Sequence, residues 1–213
     1  MKKLLFICLV LFTATTLYSQ KSQSLEGKWF ISAGAGAMVY VGENDALAPF
    51  SDRVAPTVEV SVGKWVDPLV ALRLQFSGFS AKAAAGQSAP YADVQSTPFQ
   101  NGVYPETFDY TYLHLDVMLN FSALLNGVNQ KRVVELVPLV GVGWAHSSKT
   151  GVDFSSDNAA VSAGLLGKIR LAKSLNCNIE LKGTLVNENM DGVMGNRNGE
   201  GMASATIGLA YKF

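Results

Sequence analysis

The chain has 213 residues, 48% of them hydrophobic, and its 17 basic and 17 acidic side chains balance to a formal charge of zero. That length suits one domain or one barrel, and the charge balance leaves no electrostatic footprint for nucleic acid. Charged residues make up 16% of the sequence, against about 25% in soluble domains, so the composition points to a β protein with unusually few charges.

Residues 1–20 read as an export signal. Lys2 and Lys3 precede the apolar run Leu4–Phe12, and Ala14–Ser19 is mostly small or polar. Such a run is far shorter than the roughly 20 residues a membrane helix needs. Cleavage near Ser19 or Gln20 fits this layout, although Leu17 at the −3 position is a poor match to the usual small residue. Cys8 does not read as a lipoprotein cysteine, because Ile7 precedes it and the apolar run continues beyond it. Loss of Lys2 and Lys3 leaves 15 basic against 17 acidic residues. Cys177 is then the lone thiol, with no partner for an internal disulfide. No later stretch reaches 18 uninterrupted apolar residues, and residues 21–213 read as one barrel domain.

Alternation along the chain predicts eight strands: Gly27–Gly42, Val54–Trp65, Leu69–Lys82, Glu106–Phe121, Val133–His146, Asp157–Ala172, Cys177–Glu188 and Glu200–Phe213. Most span 12 to 16 residues, where soluble strands average about five or six and tilted membrane strands need about 9 to 11. Long connections alternate with shorter ones. Glu43–Arg53 is followed by the tight Val66–Pro68 turn, Ala83–Pro105 by Ser122–Arg132, and Ser147–Ser156 by Lys173–Asn176; Asn189–Gly199 comes last. An even strand count with long loops at one end and short turns at the other is the transmembrane barrel layout. Only Ser122–Arg132 is longer than that layout wants. The expected fold is an all-β, eight-stranded antiparallel up-and-down transmembrane barrel.

The last strand carries the clearest pattern. Ala203, Ala205, Ile207, Leu209, Tyr211 and Phe213 form one face; Met202, Ser204, Thr206, Gly208, Ala210 and Lys212 form the other. A terminal strand gains from such a pattern when it must pair with the first strand to leave no edge in lipid. The final Phe213 also resembles the assembly signal of outer-membrane barrels, which implies the barrel assembly machinery as a partner.

A soluble lipocalin-like barrel has the same period with the apolar face turned inward. Three features favour apolar-out and hence outer-membrane lipid as surroundings. The polar face is mostly Gly, Ser, Ala and Thr, the strands are long, and aromatic residues collect near strand ends as interfacial girdles do. Trp29, Phe121, Tyr211 and Phe213 mark the turn side; Phe76, Phe108 and Trp144 mark the loop side. Trp65 falls on the wrong parity unless Gly63 sits at a bulge.

With the apolar set outside, the inward charges are Glu59, Arg73, Asp116, Glu135, Lys168, Arg170, Glu180 and Lys182, with His114, Gln75 and Asn120 beside them. Equal numbers of acids and bases predict a connected ion-pair network, including a Glu59–Arg73 pair, because an unpaired buried charge costs several kcal/mol. An eight-stranded barrel is just wide enough for its own side chains, so the lumen is expected to be plugged. The alternative is a narrow gated channel for small solutes, in which these pairs exchange partners.

Motifs for chemistry fall short. His114 and Asp116 share a strand face and can share a hydrogen bond, but two residues do not make a zinc site. Gly34–Gly36 and Gly141–Gly143 lie inside strands with no helix following, so no dinucleotide fingerprint exists; glycines there relieve crowding. The loop Ala83–Pro105, with Pro90, Tyr91, Pro98, Phe99 and Tyr104, has room for an extracellular ligand of unassigned identity. No metal or cofactor is implied.

The stretch His146-Ser147-Ser148 resembles the His and Ser of the eight-stranded lipid A deacylases, where an acid orients the His. Those enzymes carry a Glu about a dozen residues downstream; that place holds Ala160, and Asp153 and Asp157 read as out of position. More broadly, GKWFISAGAGAMVY, SVGKWVDPLVALRLQFSGFSAK, LNFSALLNGVNQKRVVELVPLVGVGWAH, AGLLGKIRLAKSLNCNIELKGTLV and SATIGLAYKF resemble the N-terminal barrel of outer membrane protein A-like proteins from Bacteroidetes. The resemblance covers nearly all of Gly27–Phe213. It implies a non-enzymatic outer-membrane barrel with a role in envelope integrity, sometimes with weak porin activity or adhesion. Family members often continue into a periplasmic domain that grips peptidoglycan; a chain ending at Phe213 is expected to lack that tether.

Overall fold

The computed structural model describes residues 28–42, 44–99, 102–129, 131–186, 190–193 and 200–213. The expected signal segment lies outside them. Eight strands form one closed antiparallel barrel: β1 (Trp29–Val41), β2 (Val54–Trp65), β3 (Val70–Ala85), β4 (Tyr104–Leu119), β5 (Val134–Ser148), β6 (Ser155–Arg170), β7 (Leu175–Val186) and β8 (Glu200–Lys212). Each strand pairs with its sequence neighbour. The ring closes where β1 meets β8, from Phe30↔Lys212 to Val41↔Gly201.

The apolar face looks outward. Val60, Leu74, Leu115 and Ile207 are 54%, 46%, 50% and 61% exposed, which for a row of large aliphatics on a closed barrel means contact with lipid. Along β8 the expected alternation holds at every described position: Ile207, Leu209, Tyr211 and Phe213 are exposed, Met202, Thr206, Ala210 and Lys212 buried. The chain is therefore a transmembrane β-barrel of the outer-membrane kind. Connections 66–69, 120–133 and 171–174 lie at the end holding both barrel termini, the periplasmic end of such barrels. The connections that leave β1, β3, β5 and β7 start from the other end.

Three local expectations change. The long second turn contains a helix, α2 (Phe121–Asn126), started by Asn120, whose side chain accepts the Ala123 N–H at 3.0 Å, and ended by Gly127 at φ +69°. Phe121 is thus the first residue of a helix and not the end of β4. It stays exposed. Trp65 needs no bulge: it keeps regular parity and points inward, where Gly63 leaves room for the Phe30 ring. Phe108 also points inward and belongs to the interior rather than to a girdle.

Parity slips once, at Phe79. Its φ of +146° throws the ring outward into lipid, a backbone state that costs on the order of 1–3 kcal/mol for a residue with a side chain. Its register partners are Thr57 and Tyr110, whose hydroxyls meet at 2.6 Å inside the barrel. An inward phenyl would occupy that space. Outside the strands, a 3-10 turn (Asp45–Leu47) and the single-turn α1 (Phe50–Arg53) shape the first loop.

Candidate functional site

The lumen is filled by three layers of side chains. In the middle lies Arg73 of β3. Its Nε donates to Asp116 Oδ2 at 2.8 Å, with Nη2 2.7 Å from the same oxygen, and Nη1 and Nη2 donate to Glu180 Oε2 and Oε1 at 2.5 and 3.1 Å. The planar guanidinium fork suits two carboxylates at once. Asp116 stands directly opposite Arg73 on β4, and Glu180 reaches across from β7. Lys182 stands 3.3 Å from Glu180 and 4.0 Å from Glu59. The expected Glu59–Arg73 pair is not made: Arg73 faces Gly63 on β2, and Glu59 pairs in register with Ser77.

His114 completes this layer. Its Nδ1 lies 2.7 Å from Asp116 Oδ1 and its Nε2 3.4 Å from Lys182 Nζ. An ammonium only donates, so Nε2 is the acceptor and Nδ1 carries the proton that Asp116 receives. The imidazole stacks on Tyr112 at 4.2 Å. Room for Asp116 comes from Gly141, where a Cβ would stand 2.0 Å from Asp116 Oδ1.

Apolar layers close both sides. Toward the periplasm, Phe30, Trp65, Met118, Val137, Leu139 and Leu166 pack into one buried cluster. Toward the loops, Met38, Tyr40, Phe108, Tyr91, Met190 and Met202 form another. Tyr91 and Met190 come from loops. Tyr91 stacks on Phe108 at 5.1 Å, with its carbonyl held by Lys149 at 2.8 Å; the Met190 carbonyl accepts the Ser147 hydroxyl at 2.5 Å. Between the middle layer and this plug, the gap bounded by Thr57, Glu59, Tyr110, Tyr112 and Lys182 measures about 10 Å³, room for about one water.

Beyond the loop-side plug sits a group of acids. Tyr40 donates to Glu200, Glu106 is buried near Asp45, Asp191 and Glu200, and Asp45 accepts the Gly42 and Ala84 N–H groups, the latter at 2.7 Å. Asp45 thereby pins the first loop onto β3. Burial raises its carboxyl to about pH 6, with Asp191 adding to that and the two N–H donors and Arg53 opposing it. A raised carboxyl favours the fold most while protonated. The loop anchor should therefore be strongest below about pH 4 and weaken as the pH rises through about 6. Carbon-13 titration of the Asp45 carboxyl checks this, and a midpoint near 4 refutes it.

At the periplasmic end Glu135 is bonded to Lys168, whose ammonium lies 4.9 Å from the Trp65 ring centre, and Lys212 is buried nearby. Arg170, half-buried, makes no ion pair among the described residues. The residues expected in one network therefore separate into two groups, Glu59–Arg73–His114–Asp116–Glu180–Lys182 at the centre and Glu135–Lys168 below, with Arg170 alongside. Glu106, Glu200 and Lys212 also face inward but are not among the charges expected there from the sequence. All three share parity with inward neighbours, but each stands at a strand end where parity alone does not separate lumen from loop. Trp29, Trp144, Tyr211 and Phe213 are exposed on the outer wall.

On that wall, Asp157 is not out of position. It stands opposite His146 in register, and its Oδ1 accepts from Trp144 Nε1 at 3.0 Å and meets His146 Nδ1 at 2.8 Å. No hydrogen bond among the described residues joins Ser148 to His146. No group of three His, Cys, Asp or Glu among the described residues is arranged to hold a metal ion.

No protein-family model matches the chain. Two curated relatives from Porphyromonas gingivalis do. "Outer membrane protein 40" is 29% identical over 166 residues, covering 71% of this chain and 38% of its own length. "Outer membrane protein 41" is 26% identical over 165 residues, covering 76% and 39%. The chain thus spans about two-fifths of the length of these relatives. Among solved structures, Neisserial surface protein A covers 88% of this chain and all of its own, with a TM-score of 0.58 at 12% identity. OprG from Pseudomonas aeruginosa covers 89% and 97%, at 0.54 and 10%. These likenesses establish the shared eight-stranded barrel fold.

Proposed function

We propose that the protein is a non-enzymatic integral outer-membrane barrel that serves the envelope structurally and presents its loops at the cell surface. The observation that carries this reading is the lumen: two apolar layers enclose an ion-paired one, and the gap between the ion layer and the loop-side plug measures about 10 Å³. A barrel so filled has no aqueous path. We further propose that it belongs with the Bacteroidetes outer membrane protein A-like barrels, a reading supported by the two outer-membrane relatives. In it, residues 1–20 are a cleaved export signal, 21–213 the barrel, and Phe213 the residue offered to the assembly machinery. The central ion network is structural in this reading, and Trp29, Phe121, Trp144, Tyr211 and Phe213 mark the membrane interfaces.

A narrow channel remains the competing reading, since Tyr91 and Met190 of the loop-side plug sit on loops rather than strands. Planar-bilayer recordings separate the two. Wild-type protein should give no resolved conductance steps, and Tyr91→Ala should stay silent, because the ion layer and the periplasmic plug remain. Reproducible steps from wild-type protein would overturn the sealed-barrel reading.

A further inference from the structure

Charge is sorted along the barrel axis. Lys28, Lys64, Lys131, Arg132, Arg170 and Lys173 all lie at the periplasmic end, none buried. The two acids described there are already engaged. Asp67 Oδ1 accepts the N–H groups of Leu69 and Val70 at 2.6 and 2.8 Å, and Glu135 holds Lys168. Among the described residues the loop end leans the other way, with Asp52, Asp93, Asp109 and Asp153 exposed against the half-buried bases Arg53, Lys82 and Lys149. Such a concentration of bases at one end is more than a device for solubility.

Position identifies what the bases meet. They sit before β1, on β2, in the connection after α2, on β6 and in the turn to β7, and so encircle the rim instead of converging on a cleft. A ligand that binds at one point cannot use such a ring; one that surrounds the barrel can. They also share their level with the exposed Trp29, Tyr211 and Phe213, residues of the kind that settle among headgroups. Lys64 makes the link directly, its ammonium 5.4 Å from the Trp29 ring centre. Basic groups at that depth attract anionic headgroups.

We propose that the periplasmic rim, through Lys28, Lys64, Arg132 and Lys173, gathers anionic phospholipid headgroups of the inner leaflet around the barrel. This rests on the barrel's placement in the membrane and is independent of whether its lumen conducts. The test reconstitutes the full mature chain in nanodiscs of four parts phosphatidylethanolamine to one part phosphatidylglycerol. Native mass spectrometry then reads the lipids retained. Phosphatidylglycerol should be enriched at least threefold over its bulk share. The triple variant Lys28→Gln/Lys64→Gln/Lys173→Gln, checked for folding by heat-modifiability, should return to the bulk ratio. Lys82→Gln, on β3 toward the loop end, should keep the enrichment. Bulk-ratio retention by wild-type protein, or enrichment surviving in the triple variant, would overturn the proposal. So would loss of the enrichment in inorganic phosphate but not in sodium chloride of equal ionic strength, which would mean a free-anion site.

Discussion

Replacing Arg73 with alanine is expected to lower barrel stability by about 3–5 kcal/mol, the usual consequence of stranding a buried charge. Two carboxylates lose their partner in that variant, Asp116 and Glu180, and neither has an equivalent replacement. Lys182 at 3.3 Å already serves Glu180 and is shared with Glu59, while His114 already donates to Asp116. Apolar layers on both sides keep water from filling the space. The folded band in a heat-modifiability gel should disappear at a lower temperature, and urea unfolding in micelles gives the free energy. Replacing all three members with apolar side chains of similar volume should recover much of the loss, because that removes the charges along with their bonds. Wild-type stability in Arg73→Ala would show that the network does not hold the barrel together.

The second large effect lies on the opposite face of the wall. Leu115→Arg should cost about 2–4 kcal/mol, the penalty for a cation near the bilayer midplane on a barrel's lipid side. Leu115 is half exposed and flanked across the sheet by Leu74 and Val142, both exposed. If these faces met water, the same change would stay within about 0.5 kcal/mol, as surface substitutions usually do. Val134→Arg, at the periplasmic start of β5, supplies the depth control and should cost no more than about 1 kcal/mol. Equal costs at the two positions would contradict the membrane placement.

Much of the architecture was legible because lipid imposes a strict rule on strands. Each must be long and must show one continuous apolar face, so β8 could be read residue by residue. The helix Phe121–Asn126 escaped for a local reason. Phe121 continues the apolar parity of β4, and that pattern hid the signals around it, a capping Asn120 before the helix and Gly127 after it. The inward charges could be listed but not paired. Arg73 and Glu180 are separated by 107 residues in sequence, and whether they meet depends on the stagger of strands around the ring, which alternation does not encode. Asp157 shows the same limit. Its distance along the chain suggested nothing, whereas its register places it against His146.

The sandwiching of the ionic layer between two greasy ones has a consequence for how the protein meets a changing environment. Dissolved salt screens exposed charges from one another beyond about 8 Å in physiological saline, and screens buried pairs much less. Arg73, Asp116 and Glu180 are each no more than 2% exposed, shut off from either compartment. The central clasp therefore keeps the same strength in dilute medium and in brine, while the charges on the rim and loops respond to every shift in salinity.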